Sequence, residues 1–261
     1  MDLREVKGRE GKVTSRHPWE LARVEVIKAQ IKSKFKTDKL NSVLDLGCGD
    51  TFLVEELARA FPHIRFYAVD IEFTDDMITE IQPNISTQIS LHKNLNELNS
   101  LEVNNIDLVL LLDVIEHIED DISFMKWVNE FNFIKNSTDF LITVPAYQSL
   151  FCSHDDFLGH YRRYTNKNLK ENLSKAGYAT QHVSYFFWSL LPVRILQVLI
   201  EKFQNQNKDT TGLVEWEGGA FKTKLLTAIL LTDYKIGNFF QKIGLKIPGL
   251  SNIAICRPLV S

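Results

Sequence analysis

The sequence predicts an α/β fold, a mostly parallel β-sheet covered by helices on both faces. Two observations predict it. Short, nearly continuous apolar runs alternate along the chain with stretches of helical period, and strands apolar on both sides belong between two helical layers. The first of these runs leads directly into a glycine turn, VLDLGCGD at 43–50, the join of a strand to its crossover helix. With 261 residues, 44% hydrophobic and 24% charged, the chain has the composition of a globular protein: one large domain, or one domain with an insertion.

The elements follow in order. After a polar arm over 1–17, Pro18 opens a helix to about residue 36. Trp19, Ala22, Val26, Ile27, Ile31 and Phe35 recur on it every three or four residues, an apolar stripe beneath a lysine-rich face. SVLDL (42–46) is a buried strand, TFLVEELARAF (51–61) a helix and IRFYAVDI (64–71) a second strand. A weaker strand at 86–92 precedes IDLVLLLD (106–113), a helix over 122–134 and the strand DFLITVP (139–145). Thr165 suits the N-cap of a helix over NKNLKENLSKAG, and Gly177 its C-terminal stop. Strands at 178–187 and 251–257 complete the set.

The core thus runs over 18–187 and is completed by the final strand in 251–261. Between them, 188–250 reads as a helical insertion, with apolar stretches at 188–203 and 225–240 around a polar linker at 204–212. YFFWSLLPVRILQVLI is apolar over sixteen residues but is interrupted by Pro192 and Arg194, and it is shorter than the about 20 residues that span a bilayer. Packing on the domain, closing over a substrate, meeting a partner and lying at a membrane surface all fit it. No transmembrane segment is expected.

Charge and cysteine content exclude several classes. A net charge of −3 gives no electrostatic reason to expect a nucleic-acid partner. Cys48, Cys152 and Cys256 are scattered and odd in number, which indicates neither a disulfide framework nor a paired-cysteine metal site. The N-terminal stretch is charged and has no apolar leader, so a cytoplasmic location is expected.

In an open parallel sheet, ligands lie beyond the carboxyl ends of the strands. Gly47 and Gly49 follow the first strand, where missing side chains allow a tight turn and close approach to a ligand. Asp45 stands within that strand and Asp70 ends the second, where a carboxylate can accept both hydroxyls of a ribose. A pyrophosphate ligand would favour a third glycine and a less acidic loop.

VLDLGCGD, FYAVDI and IDLVLLLDVIEHIEDD together resemble the class I S-adenosylmethionine-dependent methyltransferases. ITVPAYQSLFCSHDDFLGHYRRYT is similar to a bacterial subgroup assigned to small-molecule or glycan methylation. The resemblance covers about 40–185, with a fainter echo at PGLSNIAICRP. It implies a Rossmann-like sheet of seven strands with the last antiparallel, and S-adenosyl-L-methionine as cofactor. It places Asp45, Gly47 and Gly49 along the methionine moiety, Asp70 on the ribose, Asn94 and Leu95 by the adenine, and Asp113 and Val114 beneath the sulfonium. Thr51 departs from the family's glycine, and either tightens the pocket or caps the helix.

The segment HDDFLGHYRRYT (154–165) would then form part of the substrate wall. Methyl transfer is an in-line displacement at carbon, and a hydroxyl acceptor must also lose a proton. His160, His154 and His117 are the candidates to take it, imidazole titrating near neutrality. Arg162 and Arg163, with the adjoining Tyr164, are candidates to hold an anionic or polar acceptor. The structural alternative is a loop pinned by its own ion pairs. The spacing of His117, His154, Asp155 and His160 is not diagnostic of a metal site, and none is expected. The activity implied is methyl transfer to a small molecule or saccharide, at oxygen. The alternatives are a non-catalytic nucleotide-binding module and a nicotinamide-dependent oxidoreductase.

Overall fold

The computed structural model describes residues 16–204, Trp216 and 218–259. The predicted polar arm lies outside them except for its last two residues, as does the predicted linker after Gln204. Seven strands form one sheet in the order β3-β2-β1-β4-β5-β7-β6. They are β1 (Ser42–Leu46), β2 (Arg65–Val69), β3 (Ile89–His92), β4 (Leu108–Leu112), β5 (Asp139–Pro145), β6 (Tyr178–Phe186) and β7 (Ser251–Pro258). β7 runs antiparallel to both β5 and β6, while β1 to β5 pair in parallel. Hence β6 points the same way as β1 to β5, and six strand ends share one edge.

Nine α-helices flank this sheet among the described residues: α1 (Pro18–Lys34), α2 (Phe52–Ala60), α3 (Asp75–Ile81), α4 (Asn96–Ser100), α5 (Asp121–Val128), α6 (Ser153–Leu158), α7 (Asn166–Lys175), α8 (Leu190–Gln204) and α9 (Ala220–Lys242). Alternate residues of each strand feed two cores. Val43, Phe66 and Leu110 face α1, α2 and α9, whereas Leu44, Val109 and Ile142 face α4, α5 and α7. Two-sided burial explains why the strands read as continuous apolar runs.

Local signals set the helix ends. His17 and Glu20 form a reciprocal capping box at α1, with Pro18 in the first turn. Thr165 accepts from the Asn168 N–H at 3.2 Å to cap α7, and Gly177 follows that helix at φ 88°. The helix predicted over 122–134 ends earlier, at Val128. Beyond it the chain turns so that Phe131, Phe133 and Ile134 enter the core from irregular backbone. α3 and α6 lie in polar stretches whose sequence carries no apolar period.

Between β6 and β7 the chain forms α8 and α9. α9 packs along α1, burying Leu230 and Tyr234 in the first core, and the Gln30 amide donates to the Tyr234 hydroxyl at 2.8 Å. α8 docks beside α6, where the Ser153 N–H donates to Glu201 at 2.9 Å. No helix among the described residues is long and apolar enough to cross a membrane.

Leu230, 5% exposed, tests how firmly α9 belongs to this core. Leu230→Ala should cost about 2–5 kcal/mol in urea denaturation, as for a buried leucine whose cavity does not collapse. A cost below about 1 kcal/mol, typical of a surface change, would mean that α9 is only loosely attached.

Candidate active site

The loop after β1 shapes one part of the sheet's carboxyl edge. Gly47 and Gly49 both take left-handed backbone, φ 79° and 62°. The Gly47 N–H donates to the Val69 carbonyl at 2.7 Å and the Gly49 N–H to Asp70 at 2.9 Å. A Cβ on Gly47 would stand 2.6 Å from a Val114 methyl. The loop therefore fits against the ends of β2 and β4 only without a side chain there. Thr51 adopts φ 64°, a glycine-like conformation. Its hydroxyl does not cap α2 but donates to Glu55 at 2.9 Å.

Three acidic residues converge on this edge. Asp45 is buried, and its Oδ2 has no hydrogen-bond partner. Burial pushes its carboxyl up to about 7, against the opposing pull of the Arg23 guanidinium. Asp70, just beyond β2, accepts from the backbone of Gly49 and Glu72. Asp113 takes φ 58° directly after β4, accepts from the Thr143 hydroxyl at 3.0 Å and pairs with Arg23 at 3.0 Å. Val114 follows against Gly47. Leu95 is buried at the start of α4, and Asn94 is engaged in the turn before it, accepting from the Asn96 N–H at 3.0 Å.

α1 contributes residues that the sequence reading did not single out. Arg23 reaches across to Asp113 and lies over the Trp19 ring, and Arg16 pairs with Asp50 while covering Phe52. Arg23 stands on a helix read only for its apolar stripe, and Arg16 lies just before it, at the end of the polar arm. The signal was present as a basic residue on the same turns as that stripe.

A second polar cluster is centred on Asp155, which is fully buried on α6. It accepts from the His160 ring at 2.8 Å, Arg163 at 2.8 Å, Arg194 at 2.8 Å and the Cys152 N–H at 3.0 Å. Burial alone would raise its carboxyl, but the His160 hydrogen bond and the two guanidiniums hold it well below the usual range. Arg194 is the charge that interrupts the apolar run of α8. His160 follows the left-handed Gly159 and packs edge-on against His117, ring centroids 4.6 Å apart. His154 is half-buried on α6, where burial and then Arg194 lower its pKa.

The arginine pair divides. Arg163 is 6% exposed and committed to Asp155. Arg162 is half-buried, pairs with Asp121 at 3.0 Å and donates to the Glu119 carbonyl. Tyr164 is buried, and its hydroxyl donates to Asp121 at 2.7 Å. Polarity in the sequence suggested exposure for all three, yet only Arg162 keeps partial access to solvent. Glu116, between Asp113 and His117, is fully buried and neither carboxylate oxygen has a partner. Beside α8 lies an apolar cleft of about 470 Å³ lined by Trp188, Leu191, Pro192, Leu196, Leu199 and Pro248.

A sheet with this order, a glycine loop after its first strand and acids at its carboxyl edge defines a class of nucleoside-cofactor enzymes. The chain belongs to the methyltransferase-domain family, whose sequence model matches residues 21–183, more than half its length. It is accordingly an S-adenosylmethionine-dependent methyltransferase. Among solved structures, the methyltransferase domain of bacterial CtHen1-C is 13% identical, with a TM-score of 0.53 over 92% of this chain and 99% of that one. Haemonchus contortus phosphoethanolamine N-methyltransferase 2, solved with phosphomonomethylethanolamine and S-adenosylhomocysteine, is 15% identical. Its TM-score is 0.52 over 91% of this chain and 53% of its own. At these identities the likeness is one of fold. No curated protein is significantly similar in sequence.

Two expectations follow from the buried acids. Asp155→Asn leaves Arg163 and Arg194 without their shared counter-charge, a loss of about 3–5 kcal/mol for a broken buried pair. Because the folded carboxyl is depressed, its contribution is present above the ordinary carboxylate range and lost as the pH falls through the depressed value. Acid titration of stability should therefore show a shallower loss in the variant than in the wild type. An equal acid slope would show that Asp155 does not carry it.

Asp45 has the opposite sign. It holds its proton up to about 7, so its ionisation costs stability as the pH rises from the carboxylate range through 7. A cationic ligand favours the ionised form. Calorimetry should find S-adenosylmethionine bound about tenfold more tightly at pH 8 than at pH 6, by one-proton linkage. Asp45→Asn should abolish that difference, and its persistence in the variant would assign the titration elsewhere.

Proposed function

We propose that this methyltransferase acts on a hydroxyl oxygen of a small molecule or saccharide, and that its His117–His160 pair receives the acceptor's proton. The observation that carries the reading is the Asp155–His160 hydrogen bond at 2.8 Å. With Nδ1–H directed to a carboxylate, the neutral ring presents the lone pair of Nε2, and the ring's orientation is fixed by a buried anchor. His117 lies against it, four residues after Asp113 on the same edge of the sheet.

The residues at that edge fit S-adenosylmethionine on two counts: the unpartnered buried Oδ2 of Asp45, and the Gly47 cradle that a Cβ would fill. We assign Asp70 to the ribose hydroxyls, Asn94 and Leu95 to the adenine side, and Asp45, Gly47 and Gly49 to the methionine side. Asp113 and Val114 then lie under the reactive end. When bound, the cofactor supplies a methyl group on a sulfonium, an electrophile that needs an aligned nucleophile with a free lone pair. The chain's own work is to hold the acceptor in line, exclude water and remove the proton. A proton leaving the acceptor oxygen passes to the imidazole pair, and Asp155 stabilises the charge that develops there. Arg162, the most accessible of the loop's cations, is assigned to the acceptor's polar or anionic group, with His154 as a further proton-accepting candidate. The three cysteines are unpaired, which supports placing the enzyme in the reducing cytoplasm.

The test is a screen of hydroxylated small molecules and saccharides with labelled S-adenosylmethionine, followed by variants on the acceptor found. His160→Asn should lower turnover by about 100- to 10,000-fold, the usual worth of a positioned base, with S-adenosylhomocysteine affinity unchanged. Wild-type turnover should rise with pH and level off. Transfer confined to nitrogen acceptors, with His160→Asn fully active, would overturn the oxygen reading.

A further inference from the structure

Glu116 has no part in the methyl-transfer scheme, yet its setting is the most demanding in the protein. Its carboxyl is fully buried, and neither oxygen has a hydrogen-bond partner. A buried carboxylate without a partner is severely destabilising, and a protonated one would still leave its polar atoms unmet. Two imidazoles stand beside it. One ligand atom each from Glu116, His117 and His160 lie within 4.8 Å of one another.

We propose that Glu116, His117 and His160 hold a divalent transition-metal ion. Bonds of about 2.0–2.2 Å from an ion to imidazole nitrogen and carboxylate oxygen bring such donors to about 3–3.4 Å apart. The cluster reaches that spacing by a contraction of about 1.5 Å, within the range of side-chain rotation. Two nitrogens and one oxygen suit zinc, iron, manganese or cobalt, whereas magnesium and calcium take oxygen ligands. The outer shell is in place as well. His160 is hydrogen-bonded through Nδ1 to Asp155, which leaves Nε2 as the nitrogen it can offer to an ion, the arrangement that orients metal-bound histidines. Asp155 is itself neutralised by Arg163 and Arg194, and Asp113, the nearest other acid, is engaged by Arg23. The ion therefore meets one uncompensated anion, Glu116.

Three protein ligands leave coordination positions open, as in sites that bind a reacting oxygen. An acceptor hydroxyl on the ion ionises near neutral pH. Its O–H bond breaks with the proton passing to solvent, and the oxygen lone pair forms the bond to the methyl carbon as the carbon–sulfur bond breaks. With an ion bound, the imidazole lone pairs are its ligands, so ionisation on the metal replaces proton uptake by the pair as the way the acceptor loses its proton. That role rests on the oxygen-acceptor reading above; the ion site itself does not.

The full chain, freed of metal with EDTA and dialysed, is titrated with Mn2+ alone by electron paramagnetic resonance and with Co2+ alone by visible absorption. One ion per chain should bind, with a cobalt spectrum showing nitrogen ligation and a rise in melting temperature. Glu116→Gln is nearly isosteric and His117→Gln alters a half-buried residue; each should abolish the cobalt spectrum and the thermal shift. Asp155→Asn should weaken binding by about 10- to 100-fold, the usual effect of losing an outer-shell partner. Absence of stoichiometric binding by the wild type, or unchanged binding in both folded ligand variants, overturns the site. Oxygen methylation that continues at full rate in the metal-free enzyme overturns the ion's catalytic role. Binding intact but with methyl transfer only to nitrogen overturns the acceptor reading and leaves the site standing.

Discussion

The region around α6 depends on one buried carboxylate. Asp155 is reached by a ring nitrogen, two guanidiniums and a backbone N–H, drawn from three stretches of chain. Through His160 and Arg163 it fixes the segment after α6, and through Arg194 it fixes α8. A carboxylate at zero exposure is tolerable only because every lone pair has a donor and two donors carry positive charge. The same network explains why this short region is so polar. Its charges do not face water; they neutralise one another inside the protein and leave one imidazole oriented.

The acids at the ends of β1 and β4 follow a different electrostatic logic. Asp45 and Asp113 read in the sequence as two acids facing a cation. In the folded chain, Arg23 from α1 already pairs with Asp113, so the two acids are not equivalent. Asp113 is compensated whether or not a ligand is bound, and Asp45 is left buried with an unmet oxygen. Attraction for a cationic ligand is thereby concentrated on one residue poised to change protonation. α1 thus acts as more than a cover for the sheet, since its Arg23 sets how the two acids differ in charge.

What the sequence made legible was whatever depends on period and spacing. β1 and β5 fall where their apolar runs place them, because burial on both faces keeps those runs largely apolar. The glycine loop and the strand-end acids were legible because backbone conformation and strand position constrain residue type. α3 and α6 were not, because short helices in polar stretches are held by caps and tertiary contacts and not by an apolar stripe. Burial of polar residues was equally hidden. Arg163 and Tyr164 sit among charged neighbours in sequence, yet their partners Asp155 and Asp121 lie on separate elements, and only the fold brings them under cover. Glu116 offered a signal in its place between an aspartate and a histidine at a strand end, but its isolation from any donor is a property of three dimensions.

Backbone strain marks the same edge of the sheet. Outside glycine, positive φ occurs among the described residues at Thr51, Glu102, Asp113, Tyr147 and Phe187. Glu102 lies in an exposed turn. The other four follow the carboxyl ends of β1, β4, β5 and β6, and each conformation of this kind costs about 1–3 kcal/mol unless its surroundings enforce it. Thr51 is the clearest case, since a β-branched residue is least suited to the left-handed region. The loop keeps its glycine-like path there because the side chain is buried and its hydroxyl is held by Glu55. Thr51 thus keeps the glycine-like course of the loop. Strain gathered at four strand ends along one edge is what a protein retains when backbone direction serves the ligand more than the fold.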